Sequence, residues 1–244
     1  MMKQPVVPYQ EMNLSKKEQV SMMFDRIAFR YDLMNRLLSF GIDTGWRKRM
    51  LKMLRPSNPQ LILDVATGTA DVAIQLATLH PKHITGIDIS AEMLSQGRVK
   101  INEKNLGSLI SLQQADAENL PFEDNKFDAI TVAFGVRNFE HLEKGLQELN
   151  RVLKKNGTLI VLEFSKPKQF PFRQLFRFYF TRICPLLGQW ITNDKMAYTY
   201  LHRSVAVFPD GKDFTHLLEK NGFVSTQCTP LTFGISSIYT GKKQ

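Results

Sequence analysis

Apolar and polar positions follow two regimes along the chain. Leu61-Ile62-Leu63-Asp64-Val65 is a short apolar run of the kind a buried strand makes. Comparable runs recur at 83–89, 109–113, Phe127–Ala133 and 158–164. Between them the spacing turns helical, over 71–79, over 91–104 behind a Ser90 cap, and over 142–153. Strand alternating with helix implies crossover units, hence a parallel sheet covered on both faces. After a further helix at 213–220, closing strands at 223–228 and 236–239 leave no room for a crossover helix, so they are expected to pair antiparallel.

The flanks read differently. Residues 1–55 are helical, Met-rich and basic, with Leu33, Met34, Leu37 and Leu38 spaced for one helix face and a second helix over 43–54 stopped by Arg55-Pro56. Residues 170–206 are aromatic, basic and helical. The expected organisation is a helical extension (1–55) contributing to the substrate pocket, then an α/β domain (56–244) carrying a helical lid around 168–206.

Composition narrows the classes. With 43% hydrophobic residues over 244 positions the chain is a folded globular protein. Its formal charge of +9 allows attraction to nucleic acid, anionic lipid or acidic ligands without choosing among them. The two cysteines, Cys184 and Cys228, are too few for a disulfide framework and lack metal-ligand spacing, so no metal is expected and a reducing compartment is. No signal-like h-region opens the chain, and no uncharged run of 18 or more apolar residues occurs, which predicts a cytoplasmic protein that neither crosses nor is exported through a membrane.

In an open parallel sheet a ligand sits beyond the carboxyl ends of the strands, near the first one. The loop there is Ala66-Thr67-Gly68-Thr69-Ala70, where Gly68 permits backbone approach and small neighbours keep the surface clear. Asp88 closes the second strand, where a carboxylate can accept both hydroxyls of a ribose. Asp116 and Ala117 follow the third, where a side chain and an amide can meet an adenine edge. Alone, Asp88 would read as a helix cap; the combination points to a nucleoside. The dinucleotide fingerprint G-x-G-x-x-G is missing, which disfavours a nicotinamide oxidoreductase. Asp64 and Asp71 around the loop disfavour a phosphate and suit a cationic ligand. S-adenosylmethionine, with its sulfonium, fits.

Several narrower motifs follow: Phe24-Asp25-Arg26-Ile27-Ala28, Tyr31-Asp32-Leu33-Met34-Asn35, Ser39 and Trp46, the stretch Leu63 to Asp71, Phe134-Gly135-Val136-Arg137-Asn138, and Arg151-Val152-Leu153-Lys154 leading to Leu162-Glu163-Phe164-Ser165. On these the sequence resembles the ubiquinone/menaquinone biosynthesis C-methyltransferase family, within the class I S-adenosylmethionine-dependent methyltransferases, over nearly its whole length. The resemblance implies a Rossmann-like α/β fold with a mostly parallel seven-stranded sheet. It also implies S-adenosylmethionine contacts from Thr67, Asp88, Asp116 and Ala117, and a prenylated quinol methylated on a ring carbon. At two places the chain departs from the family pattern. Asp43 stands where a histidine is usual between Ser39 and Trp46, and Lys154-Lys155-Asn156-Gly157 replaces a Lys-Pro-Gly-Gly turn.

Methyl transfer to a ring carbon needs alignment and an ionised neighbouring hydroxyl. Arg137 is the expected cation for that oxygen, unless it is spent on an acid such as Glu140. Asn138 is expected to orient a substrate oxygen. Asp43 and His141 are candidate bases, each also readable as an N-cap or surface residue, and Glu163 is expected to organise the pocket. Phe170, Phe172, Phe176, Phe178, Tyr179, Phe180 and Trp190 among Arg173, Arg177 and Arg182 suit a lid that covers the ring, receives the tail or rests on the inner face of an anionic membrane; ordinary packing on the core is the plainer reading. A homodimer is left open. An RNA or other small-molecule methyltransferase of the same fold, and a nonenzymatic binding module, are the competing functions; no RNA-binding appendage or Asn-Pro-Pro-Tyr motif supports nucleic acid.

Overall fold

A computed structural model describes residues 6–183 and 195–244. Three helices open the chain: α1 (Lys16–Ile27), α2 (Tyr31–Leu38) and α3 (Ile42–Leu54). Ser15 and Glu18 start α1 as a reciprocal capping box. The α/β core follows as β1 (Leu61–Val65), α4 (Asp71–Leu76), β2 (His83–Asp88), α5 (Ala91–Glu103), β3 (Ile110–Gln114), β4 (Phe127–Ala133), α6 (Leu142–Val152) and β5 (Leu153–Phe164). Helices α7 (Phe172–Phe178), α8 (Lys195–Val207) and α9 (Lys212–Lys220) precede β6 (Phe223–Leu231) and β7 (Ser236–Lys243).

The seven strands form one sheet in the order β3-β2-β1-β4-β5-β7-β6. Strands β1 to β5 run parallel; β7 pairs antiparallel with both β5 and β6. The order reverses between β1 and β4, which opens a crevice at their carboxyl ends.

Alternation along the strands sends side chains to two cores. Leu63, Val65, Leu159 and Val161 pack on one face with α6 and α9, and Ile62, Ile160 and Leu162 on the other with α3 and α4. Each such fully buried aliphatic side chain is worth about 1.5–3 kcal/mol. A third cluster, including Val20, Met23, Met34, Met93 and Tyr200, fastens the N-terminal helices and α8 over the sheet's carboxyl edge.

Two expectations change. Lys154-Lys155-Asn156-Gly157 is a bulge inside β5 rather than a turn before it: Phe127 pairs with Leu153 and Ala129 with Thr158, and Asn156 takes φ 60° to make the detour. On α2 Met34 is buried, but Leu33 and Leu37 are 55% and 44% exposed, so these positions do not turn inward as one face. Cys184 and Trp190 lie outside the described residues, as does part of the expected lid.

Candidate active site

Loops at the ends of β1 to β4 enclose a narrow cavity of about 70 Å³, covered by α1 and by Tyr31. Ala66 at φ 54° and Gly68 at φ 55° turn the first loop across it. Gly135, after β4, faces Ala66 so closely that a Cβ there would stand 2.4 Å from the alanine's own. That close approach explains a glycine at 135.

Asp88 lines this cavity, its two oxygens accepting from the Gly68 and Ser90 amides at 2.9 Å each. A carboxylate has about four acceptor sites, and with the Ile89 amide also directed at it, capacity still remains for a ligand. Burial raises its pKa. Asp116 and Ala117 line it too, but Lys17 reaches from α1 to pair with the Asp116 carboxylate, which also accepts from the Glu118 amide at 2.9 Å.

Thr67 is placed otherwise than expected. Its hydroxyl donates to Asp64 at 2.6 Å, turned under the loop, and the cavity is lined by Ala66 and Gly68 on either side of it. Asp64 is fully buried, accepts also from Thr131, and burial pushes its pKa up to about 6. Asp71 does not present free negative charge to the loop. Burial works against its ionisation, but Lys100 and Arg47, both at 2.6 Å, hold its pKa down overall. The charge argument against a phosphate therefore loses its Asp71 part.

A larger cavity, about 380 Å³, adjoins the first and shares Phe24, Tyr31, Phe134 and Asn138 with it. Its walls are mostly aromatic and aliphatic, from α1 to α3, β5, α7, α8 and the turn before β7. Arg137 lines it, with its side chain 8% exposed. Its Nη1 donates to Glu163 at 2.7 Å and to the Phe134 carbonyl at 2.5 Å, and the guanidinium lies over the Phe164 ring. The partner is Glu163 and not Glu140, which accepts instead from the Lys16 amide. Arg137 is therefore half of a buried pair, not a bare cation. Glu163 is fully buried behind it.

Asn138 accepts from the Tyr200 hydroxyl at 3.2 Å, and burial raises the pKa of Tyr200. Asp43 lines the large cavity, 5% exposed, accepting from Ser39 Oγ at 2.6 Å and facing Arg47 at 3.2 Å. It lies in the first turn of α3, whose N-cap is Gly41, so it is neither a cap nor a surface residue. His141 stands at the N-cap position of α6 without a side-chain capping bond, its side chain is 69% exposed beside Glu118, and it lines neither cavity.

Sequence reasoning missed Lys16, Lys17, Arg47 and Tyr200. The Ser15-x-x-Glu18 box marked the start of α1 and could have flagged the two lysines. Nothing local marks Tyr200, whose partner is 62 positions away. Among the described residues no group of three His, Cys, Asp or Glu could hold a metal, and no helix is long and apolar enough to cross a membrane.

Strand order, loop and paired cavities define a class I S-adenosylmethionine-dependent methyltransferase. A SAM-dependent methyltransferase from Thermotoga maritima superposes with TM-score 0.64 at 19% identity, covering 92% of this chain and 99% of that one. One from Aquifex aeolicus gives 0.54 at 19%, covering 75% and 81%. The chain belongs to the ubiE/COQ5 methyltransferase family, whose model matches residues 12–243. It is 46% identical over 229 residues to a demethylmenaquinone methyltransferase of Bacteroides fragilis, covering 93% of this chain and 94% of the relative. It is 44% identical over 230 residues to the ubiquinone/menaquinone biosynthesis C-methyltransferase UbiE of Geotalea daltonii, covering 93% and 97%.

Proposed function

We propose that the protein methylates a ring carbon of a prenylated demethylquinol, of the demethylmenaquinol type, with the ubiquinone-pathway benzoquinol as the second ring to test. The observation that carries this is the junction of the two cavities: a cleft suited to a nucleoside meets an aromatic chamber at Phe24, Tyr31, Phe134 and Asn138. A flat apolar ring in the chamber could turn a face to a donor in the cleft, the side on which a ring carbon carries its nucleophilic π density.

S-adenosylmethionine supplies an electrophilic methyl on a sulfonium, transferred by in-line displacement. The chain's residues fit it: Asp88 has acceptor capacity for a ribose diol, and Asp116 with Ala117 can meet the adenine once Lys17 swings aside. That ion pair is partly exposed, so opening it costs at most about 1 kcal/mol. The rest is alignment, worth several kcal/mol on its own.

A ring hydroxyl resembles a phenol, with a pKa of about 10, and must ionise for its neighbouring carbon to attack. Arg137 is the group to stabilise that oxygen. Because Glu163 balances its charge, it acts as an oriented donor in a water-poor site, where such donors are strongest. Asn138, held by Tyr200, orients the same oxygen. As the C–CH3 bond forms the S–CH3 bond breaks, and the hydrogen on that carbon then passes as a proton to the ionised ring oxygen, restoring the aromatic quinol; Asp43 lines the same cavity.

The prenyl tail needs an exit. Phe40, Ile42, Leu175 and Phe233 line the large cavity and are 76%, 43%, 58% and 65% exposed, so the chamber opens through an apolar rim. Arg173 and Arg177 flank it on α7. This rim supports peripheral contact with an anionic bilayer holding the substrate. Labelled methyl donor incubated with demethylated naphthoquinols, benzoquinols and total RNA tests the substrate, and labelling only in RNA would overturn the reading. Flotation with anionic vesicles at low and high salt tests the rim.

A further inference from the structure

We infer that Asp43, backed by Ser39 and Arg47, is the docking point for the second ring hydroxyl, so that the large cavity reads two oxygens on opposite sides of one ring and thereby selects the reduced over the oxidised form. This rests on the quinol reading above and gives Asp43 a positioning role in it rather than that of a base.

Besides Tyr31, Asn35 and Tyr179, the polar side chains of this mostly apolar cavity fall into two groups. Arg137 and Asn138 sit on the loop after β4 with Tyr200; Ser39, Asp43 and Arg47 sit on α2 and α3. Tyr31 lies within electrostatic reach of both guanidinium groups and lines both cavities, so both groups stand near the methyl-transfer junction and on different elements of the fold.

Each group also holds an unspent donor. Among the described residues, four buried side-chain atoms have no hydrogen-bond partner, and two of them are Arg47 Nε and Arg137 Nε. Buried donors of this kind are uncommon and ask for a partner.

The chemistry separates the two ends. At Arg137 the oxygen must carry negative charge, so it is the hydroxyl beside the attacking carbon. Asp43 presents acceptors only: one oxygen takes Ser39, the other faces Arg47, and lone pairs remain on each. The Ser39 proton is committed to Asp43. A second hydroxyl can donate to this carboxylate. The carbonyl of an oxidised ring has no proton to give and sets its own lone pairs against it. Arg47 is pinned from behind by Asp71 at 2.6 Å, so Asp43 cannot easily turn away. Holding the second oxygen also prevents the ring from rotating its target carbon out of line.

Calorimetry on the full chain, with the demethylated donor product present, can compare a short-tailed 1,4-naphthalenediol, its oxidised quinone and the matching 1-naphthol. The wild-type protein should bind the diol about 10- to 100-fold more tightly than either of the others, as loss of one charge-assisted bond predicts. Asp43→Asn should bring diol and quinone within about 3-fold, because an amide can donate to a carbonyl. In turnover it should raise KM for the diol far more than it lowers kcat; a base would show the reverse. Equal wild-type affinity for diol and naphthol overturns the inference without any variant, and so does an unchanged preference in Asp43→Asn. If the wild-type protein neither binds nor methylates any of the three rings, the quinol reading has failed first and this inference falls with it.

Discussion

The two cavities are built by different means. In the narrow one the carboxylates stand at strand ends and are aimed by backbone amides, Asp88 by Gly68 and Ser90, Asp116 by Glu118. In the large one the polar groups come from helices and the loop after β4, and other side chains aim them: Arg137 by Glu163, Asp43 by Ser39 and Arg47, Asn138 by Tyr200. A backbone donor survives the loss of the side chain it served. A side-chain partner is left behind with its charge buried. Substitutions in the large cavity should therefore propagate, and those in the narrow one should stay local.

Arg137→Ala should show the largest effect. It strands Glu163, which is fully buried, and breaking such a pair by one partner costs about 3–5 kcal/mol of stability. Turnover should fall roughly 100- to 1,000-fold through loss of the donor to the developing oxyanion. Donor affinity, read by calorimetry, should hold. The double variant Arg137→Ala, Glu163→Gln should recover most of the stability in urea titration but none of the turnover. Recovery of both would reduce Arg137 to a structural partner of Glu163.

Asp88→Ala should come next and stay confined to the cleft. Its two amides lose an acceptor but can turn to water when the donor is absent, while donor binding loses about 2–4 kcal/mol through the ribose bonds. Asp88→Asn should fall between. A donor dissociation constant that does not move would end the ribose assignment. A collapse in stability as large as that of Arg137→Ala would instead break the contrast between the cavities.

The same contrast explains what could be read without coordinates. Leu61–Val65 and Phe127–Ala133 were legible as strands to the residue, because a buried strand declares itself over five to seven positions of its own sequence. Asp88 and Asp116 followed, since a strand end in a parallel sheet has one address. The large cavity has no such address: Tyr200, Ser39 and Arg47 in its wall, and Glu163 behind Arg137, come from four elements, and only tertiary packing brings them together. Arg137 was expected as a cation on the loop after the fourth strand, and its place there was legible, but its neutralisation by Glu163, 26 positions on, was not. Thr67 shows the converse limit. Its place in the loop was clear, yet which way its hydroxyl turns was decided by Asp64 beneath the sheet edge.

The smallest effect concerns the helix that touches both regions. Lys17 pairs with Asp116 at the narrow cavity, while Lys16 Nζ donates to the Arg137 and Phe139 carbonyls at 3.1 and 2.6 Å, beneath the loop that carries the large cavity's donors. Burial lowers the Lys16 pKa from 10.5 to about 8, against the pull of Glu118 and Glu140 and with a small push from Arg137. Below about pH 8 the residue is protonated folded and unfolded alike, and its burial cost is constant. Between that point and its ordinary pKa the unfolded chain binds more protons than the folded one, so stability should rise with pH there. Allowing for partial exposure, the rise is at most about 2 kcal/mol. Lys17 shifts the other way, so its contribution is full throughout this window and is lost only above it. Urea midpoints at about pH 7.5 and 9.5 should therefore differ by more in the wild-type protein than in Lys16→Met, since the shifted Lys243 and Cys228 act alike in both. Parallel curves would show that Lys16 keeps its water, and that the loop after β4 is not held from α1 by a buried ammonium.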